Sequence, residues 1–292
     1  MEQNLIDIYD LVEHAIDNAF EGQLNLKFYD YLKSLKIKKR FCPLCKKSNY
    51  NKELFYNSKP WKLVQCQCSF VYMPEVPIYE RMKSEFSWER NFEEEESISL
   101  KKKIRRKVKA LIKRDKLKYL LDHYVEEGNV LDIGCGSGAK FENISDDFIP
   151  FGIDISEESA KKANLLFEKR GGKAICAPST KVLDEFGDNK FSGAILRSYL
   201  EHEHEPFEVL KNLRFTLKDR ARVIIKVPNY DSINRKIRKE KWCGFHFPDH
   251  VNHFTPKTLL KMVKDTNYDV IKFNFLDYLP TSDNMWMVVK PR

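Results

Sequence analysis

From Gly128 onward, apolar runs of strand length alternate with stretches of helical period, and no other feature of this 292-residue chain constrains the fold as tightly. The spacing predicts strands at 129–134 (NVLDIG), 150–155 (PFGIDI), 173–177 (KAICA), 191–197 (FSGAILR), 221–227 (ARVIIKV), 270–276 (VIKFNFL) and 285–290 (MWMVVK). Helices fit between them at 157–170, 206–218 and 256–266. The last opens with Thr255-Pro256, a cap followed by proline at the first helical position. Strands and helices in this order predict an α/β fold, a doubly wound sheet with helices on both faces.

Within that region "VLDIGCGSG", Val130 to Gly138, places three glycines directly behind an apolar run that contains an acid. Ligands of open α/β sheets bind beyond the carboxyl ends of the strands. Gly134, Gly136 and Gly138 let the main chain bend there and approach a ligand without β-carbons in the way. Asp154 follows Asp132 by 22 residues and ends the second strand, where a carboxylate can accept hydrogen bonds from both hydroxyls of a ribose. Dinucleotide loops read G-x-G-x-x-G and rest a diphosphate on a helix N-terminus. Here the spacing is G-x-G-x-G, and Asp132, awkward beside a diphosphate, suits a cation bearing an α-amino group.

"VLDIGCGSG" closely resembles the first motif of class I S-adenosylmethionine-dependent methyltransferases. "FSGAILRSYLEHEHEP" is similar to the fourth-strand region of the ubiquinone-O-methyltransferase-like and sugar methyltransferase-like branch. "VIIKVPNYDS" resembles that branch's fifth-strand ending, and "W…FPDHVNHFTPKTL" the stretch that follows, so that the likeness covers about 125–292. The resemblance implies a Rossmann-like class I methyltransferase fold with a seven-stranded mixed sheet. It also implies a donor site in which Asp132, Gly134, Gly136 and Gly138 line the methionine end and Asp154 holds the ribose. Ile155 and Ala177 would flank the adenine, and Arg197 would stand near the carboxylate end. The chain departs from the branch at three places. Ser192 replaces an Asp, Asp219-Arg220-Ala221 replaces a Pro-Gly-Gly-type turn, and Ser198 opens the acid-x-x-Glu-His pattern that some quinone-type members use to bind a divalent metal. The first two leave room for a non-catalytic relative that binds the cofactor or a partner. The third speaks against a metal and against a quinone acceptor.

Methyl transfer from a sulfonium is an in-line displacement, so the protein has to align the reactants and exclude water; an alcohol acceptor also has to lose a proton. Histidine is the natural base. Five of the seven histidines lie in LEHEHEP and FHFPDHVNH, which follow the fourth and fifth strands. His250 and His202 are the favoured bases, with Asp249 or Glu201 as orienting partners and His246, His204 and His253 behind them. Two alternatives stay open: histidines that only satisfy the backbone, and a small metal site from His202, His204 and a carboxylate. The insertion 229–255, with Trp242, Phe245, Phe247 and Phe254, is expected to cap the acceptor and offer it stacking surfaces.

"FCPLCKKS…LVQCQCSFVYMP" sets Cys42 and Cys45 as one knuckle and Cys66 with Cys68 as a second. Four thiolates from two knuckles suit a closed, structural zinc site. The stretch resembles the zinc-ribbon-like N-terminus that precedes some envelope-sugar and natural-product methyltransferases, although Gln65 stands where a third cysteine is expected and Ser69 replaces a glycine. A ribbon held by packing alone is the alternative. Cys135, Cys176 and Cys243 read as buried small residues.

The net charge of +8 is local. Residues 101–118, KKKIRRKVKALIKRDKLK, hold eleven Lys/Arg against one Asp, an excess of +10 that leaves −2 for the rest of the chain. Leu5, Ile8, Val12, Ala15, Ile16 and Ala19 share a helical face, as do Ile104, Val108, Leu111, Ile112, Leu120 and Tyr124. The expected division is an N-terminal helical segment (1–40), a zinc-ribbon-like module (41–75), a linking amphipathic basic helix (76–127) and the cofactor-binding domain (128–292). The N-terminus has no signal-peptide pattern and no apolar run reaches the ~20 residues of a membrane span, so a cytoplasmic enzyme is expected. Its acceptor would be a hydroxyl or carbon of a sugar or similar small molecule. An RNA methyltransferase that grips phosphates with the ribbon and the basic segment is the rival reading.

Overall fold

The computed structural model describes residues 37–48, 50–54, 61–78 and 115–292. The expected helical segment 1–36 and the basic stretch 101–114 lie outside the described residues. In chain order the strands are β1 Ile37–Lys39, β2 Tyr50–Leu54, β3 Leu63–Cys66, β4 Val71–Tyr72 and β5 Glu75–Pro77. Helix α1 (Lys116–Tyr124) leads into β6 Gly128–Ile133, β7 Phe148–Asp154, α2 Glu157–Phe167, β8 Lys173–Cys176, the short α3 Val182–Phe186 and β9 Phe191–Arg197. Then follow α4 Pro206–Thr216, β10 Leu217–Pro228, α5 Ile233–Arg238, β11 Asn252–His253, α6 Pro256–Asp265, β12 Tyr268–Lys272 and β13 Asn284–Pro291.

Seven strands form one mixed sheet in the order β12-β13-β10-β9-β6-β7-β8. The pairs from β10 to β8 are parallel, and β13 runs antiparallel between β10 and β12. The central strand β9 is buried along nearly its whole length, which is why it reads as the continuous run FSGAIL rather than as an alternation. Local chemistry sets the helix starts. The Ser156 side chain accepts from Ser159 N, and Thr255 and Thr258 close a capping box ahead of Pro256. Leu117, Leu120 and Leu121 of α1 pack with Val130, Ile195, Ile224 and Val288 on one face of the sheet.

Several boundaries differ from expectation. The chain after Thr216 joins β10 directly, with Leu217 opposite Phe191, so the fifth strand starts four residues early. The sixth strand ends at Lys272, because Lys272 and Lys116 both reach Asp277, and the Asn274 side chain caps a tight turn at 275–277. At 37–39 a strand replaces the expected helix, and 76–77 belong to its partner β5 rather than to a linking helix. Pairing between segments distant in sequence overrides local helix propensity there. The described linking helix ends at Tyr124, short of the expected 126–128.

The cysteine segment is not a separate module. Its antiparallel sheet has the order β11-β4-β3-β2, and β11 comes from the insertion at 229–255. Phe70 meets Phe254 edge-on at 5.1 Å, and Cys42, Leu44, Val64 and Tyr72 share one core with Leu259 and Met262 of α6. Among the described residues no helix is long and apolar enough to cross a membrane.

Candidate active site

At the carboxyl end of β6 the loop residues Gly134, Gly136 and Gly138 all have positive φ. The space a side chain would take separates two of them: a β-carbon on Gly134 would strike the Tyr199 ring at 2.4 Å, whereas at Gly136 nothing lies within 4 Å. Gly136 therefore presents bare main chain to open space. Asp154, at the end of β7, accepts from Gly136 N at 2.8 Å through one oxygen and from Ser156 N at 2.9 Å through the other. The second strand's acid is thus clamped against the glycine loop. Asp132 lies fully buried beneath, with the Lys140 ammonium 3.1 and 3.2 Å from its two oxygens. Burial raises the Asp132 carboxyl to about 6 despite that ammonium. An acid already holding a cation, open main chain and a clamped carboxylate fit a ligand with an ammonium at one end and a ribose in the middle. Ile155 and Ala177 lie together at the ends of β7 and β8, where Ala177 N donates to Asp154 O, and Arg197 ends β9.

Beyond β9 and β10 lie the histidines. His202 Nδ1 is 3.0 Å from Asp249 Oδ1, His250 Nδ1 is 2.9 Å from Gly244 O, and the two rings meet edge-on at 4.5 Å. Their environments push them apart. Burial pulls His202 down, but the Asp249 carboxylate outweighs it and the net direction is up. Burial and the neighbouring charge of His202 drive His250 well below the ordinary histidine range. One imidazole is favoured charged and the other neutral, as acid–base pairs require. Glu201 is buried, its carboxyl raised by burial, and among the described residues its Oε2 has no hydrogen-bond partner. Glu201, His202 and His250 bring one ligand-type atom each within 4.8 Å of the others, a grouping able to pass a proton or to hold a cation.

His204 does not join that group. It is buried, and desolvation with the charges of Arg40 and Lys38 lowers it to about 3, so the expected metal trio of His202, His204 and a carboxylate is not formed. His253 is buried as well, its imidazole lowered to about 3. Two of the insertion's four aromatics are not open stacking surfaces, whereas Phe245 and Phe247 are half-buried and stacked on each other at 5.5 Å. Trp242 and Phe254 are buried, and Trp242 packs with Trp61, Leu63, Val71 and Tyr230 while its Nε1 donates to Asp283. Their work is to hold β11 and the cysteine sheet. Cys135 is buried as expected, but Cys176 and Cys243 are exposed.

Two departures from the family pattern lie away from this edge. Ser192 donates to Glu127 O at the start of β6, and Asp219 and Arg220 are exposed near the start of β10, both at the opposite end of the sheet. The third, Ser198, lies in the site and accepts from Lys226 Nζ at 2.6 Å. Lys226 and Lys140 were missed in the sequence. The one available signal was a lysine interrupting the apolar run VIIKVP.

The four cysteine sulfurs converge, with Cys42 and Cys68 3.6 Å apart, Cys45 and Cys66 3.4 Å apart, and all four within 4.8 Å of one another. A tetrahedron with Zn–S bonds of about 2.3 Å has edges of about 3.8 Å. The shifted Cys66 thus reaches its place without a third cysteine at Gln65, and a tetrahedral ion fits the quartet.

Residues 102–272 match the family model described as "Methyltransferase domain". An uncharacterized protein of Methanocaldococcus jannaschii is 31% identical over 154 residues, which make up 52% of this chain and 70% of that protein. A ubiquinone biosynthesis O-methyltransferase of Vibrio campbellii is 24% identical over 171 residues, 53% of this chain and 69% of that one. Among solved structures, an S-adenosylmethionine-dependent methyltransferase of Methanosarcina mazei is 19% identical, with a TM-score of 0.45 over 59% of this chain and 96% of that one.

Proposed function

We propose, from the premise that this chain belongs to the methyltransferase-domain family and is an S-adenosylmethionine-dependent methyltransferase, that its acceptor is a hydroxyl of a sugar or similar small molecule, with carbon as the alternative target. The observation that carries the reading is the edge-on contact of His250 and His202 at 4.5 Å, at the same sheet edge as the glycine loop, with Asp249 raising His202 and burial lowering His250.

In this reading Asp132, Gly134, Gly136 and Gly138 line the donor's methionine end and Asp154 holds its ribose. Ile155 and Ala177 flank the adenine, and Arg197 faces the carboxylate. The donor, when bound, supplies a methyl group on an already activated sulfonium. The chain's own task is then to orient the acceptor and take its proton. His250 Nδ1–H donates to Gly244 O, which leaves Nε2 as the proton acceptor. Asp249 orients His202 and keeps it charged, and Glu201 balances the imidazolium that forms on His250. Cys42, Cys45, Cys66 and Cys68 hold a structural zinc ion that braces the sheet to which β11 belongs. The rival RNA reading rests on 101–118, of which 115–118 are described.

Calorimetry with S-adenosylmethionine and its demethylated product, on wild type and Asp154→Ala, tests the donor site. Mass-spectrometric search for a methylated product in metabolite pools incubated with wild type and His250→Ala tests the acceptor side. Donor binding that survives Asp154→Ala unchanged, or a product formed at full rate by His250→Ala, would remove the corresponding assignment.

A further inference from the structure

Lys140 stands on the tight turn Ala139–Asn143 that follows the glycine loop. Its Nζ donates to both oxygens of Asp132, at 3.2 and 3.1 Å, and to the carbonyl oxygen of Gly134 at 3.0 Å. These oxygens belong to the two residues that the donor reading sets at the methionine end, whose α-ammonium needs acceptors of this kind. Asp132 has none of its surface exposed, and a buried carboxylate without a cation is costly. The Lys140 side chain, by contrast, keeps 23% exposure and has a route to water. Two ammonium groups cannot share one set of acceptors at hydrogen-bond distance, because like charges that close repel strongly in a half-buried site.

We propose that Lys140 is the internal occupant of the donor's ammonium site: S-adenosylmethionine enters by exchanging its own α-ammonium for Nζ, which swings out to solvent. The inference rests on the donor reading above. Charge is conserved in the exchange, since Asp132 has one ammonium partner before and after, while Asp154 and Arg197 keep their places around it. Lys140 thereby makes the site selective. A ligand with an ammonium compensates Asp132 for the lysine it loses, and a nucleoside without one leaves the lysine where it is.

The test is calorimetry on full-length wild type, Lys140→Met and Lys140→Gln, at a pH above the Asp132 titration in each protein, since loss of the Lys140 ammonium raises it. The probes are S-adenosylhomocysteine, which carries the ammonium, and 5′-methylthioadenosine, which does not. Thermal unfolding verifies that each variant is folded, and Lys140→Gln serves if Lys140→Met is not. Exchange predicts that removing the internal competitor tightens S-adenosylhomocysteine about tenfold and moves methylthioadenosine by less than about twofold. An unchanged affinity ratio overturns the exchange. So does weaker S-adenosylhomocysteine binding, which would make Lys140 a fixed holder of the donor's carboxylate. The two failures are distinguishable. If all three proteins bind methylthioadenosine but the ratio stays constant, the donor site stands and the exchange alone falls; if none binds either nucleoside, both fall.

Discussion

Asn252 pairs with Tyr72 across an antiparallel bridge, so the strand that begins two residues after His250 is also the edge strand of the cysteine sheet. The Asn252 side chain donates to Leu200 O and Glu203 O on either side of the Glu201-His202 pair, and it accepts from Arg40 at 2.6 Å. Val251 N and Asn252 N both donate to Glu201 O. The histidine loops and the cysteine segment are therefore one mechanical unit.

Asn252→Ala removes three buried side-chain hydrogen bonds. The expected loss is about 3 kcal/mol of stability, read from denaturant unfolding. A change within about 0.5 kcal/mol would mean that the clamp is not formed in solution.

Stripping metal from the cysteine quartet is expected to lower the unfolding temperature and to raise the reactivity of His202 and His250 toward an imidazole-acylating reagent. The affinity for S-adenosylhomocysteine should change little, because Asp132 and Asp154 sit on β6 and β7, which form no strand pairing with the cysteine sheet. Metal analysis of the purified protein precedes the experiment. Much less than one equivalent of zinc would argue for a ribbon held by packing.

The His202–Asp249 pair carries a signed pH dependence. Its imidazole is raised, so His202's contribution to stability is fully present below the ordinary histidine range, near ~6.5, and is lost as pH rises through the folded value. Asp249 is lowered, although burial alone would raise it, because His202 outweighs burial. Its contribution is present above the ordinary aspartate range and is lost as pH falls through the folded value. Asp249→Asn should move the His202 titration midpoint down, followed by NMR of the ring protons. An unmoved His202 midpoint would sever the pair.

Ser69 occupies the left-handed region at φ 69° in the turn that closes the second cysteine knuckle, where its N donates to Cys66 O. A β-carbon is disfavoured in that conformation. Ser69→Gly is expected to stabilise the chain by about 0.5–1 kcal/mol, measured as a shift of the unfolding midpoint at unchanged zinc content.

Asp154→Ala removes the acceptor for Gly136 N and Ser156 N together with the proposed ribose contacts. A charge-assisted hydrogen bond contributes about 1.5–3 kcal/mol, so donor affinity should fall at least about tenfold.

The amino-acid sequence by itself determined what depends on local period and spacing. The strands around Leu131, Ile153 and Ile195 are apolar runs bounded by turn residues. The glycine loop is a short spacing rule, and the order of strands and helices restricts the winding to a few topologies. Spacing points to Asp132 and Asp154 at strand ends, whereas His202 and His250 stand out by their place after the fourth and fifth strands and by the family resemblance. Tertiary structure alone decided which distant residues meet. It set Asp249 rather than Glu201 against His202, Lys226 against Ser198, and His204 outside the histidine group. It also turned Trp242 and Phe254 from expected stacking surfaces into the packing that joins the insertion to the cysteine sheet. Local period reports which way a side chain points from its own strand or helix, but the partner it meets is set by how separate segments bury their apolar faces together.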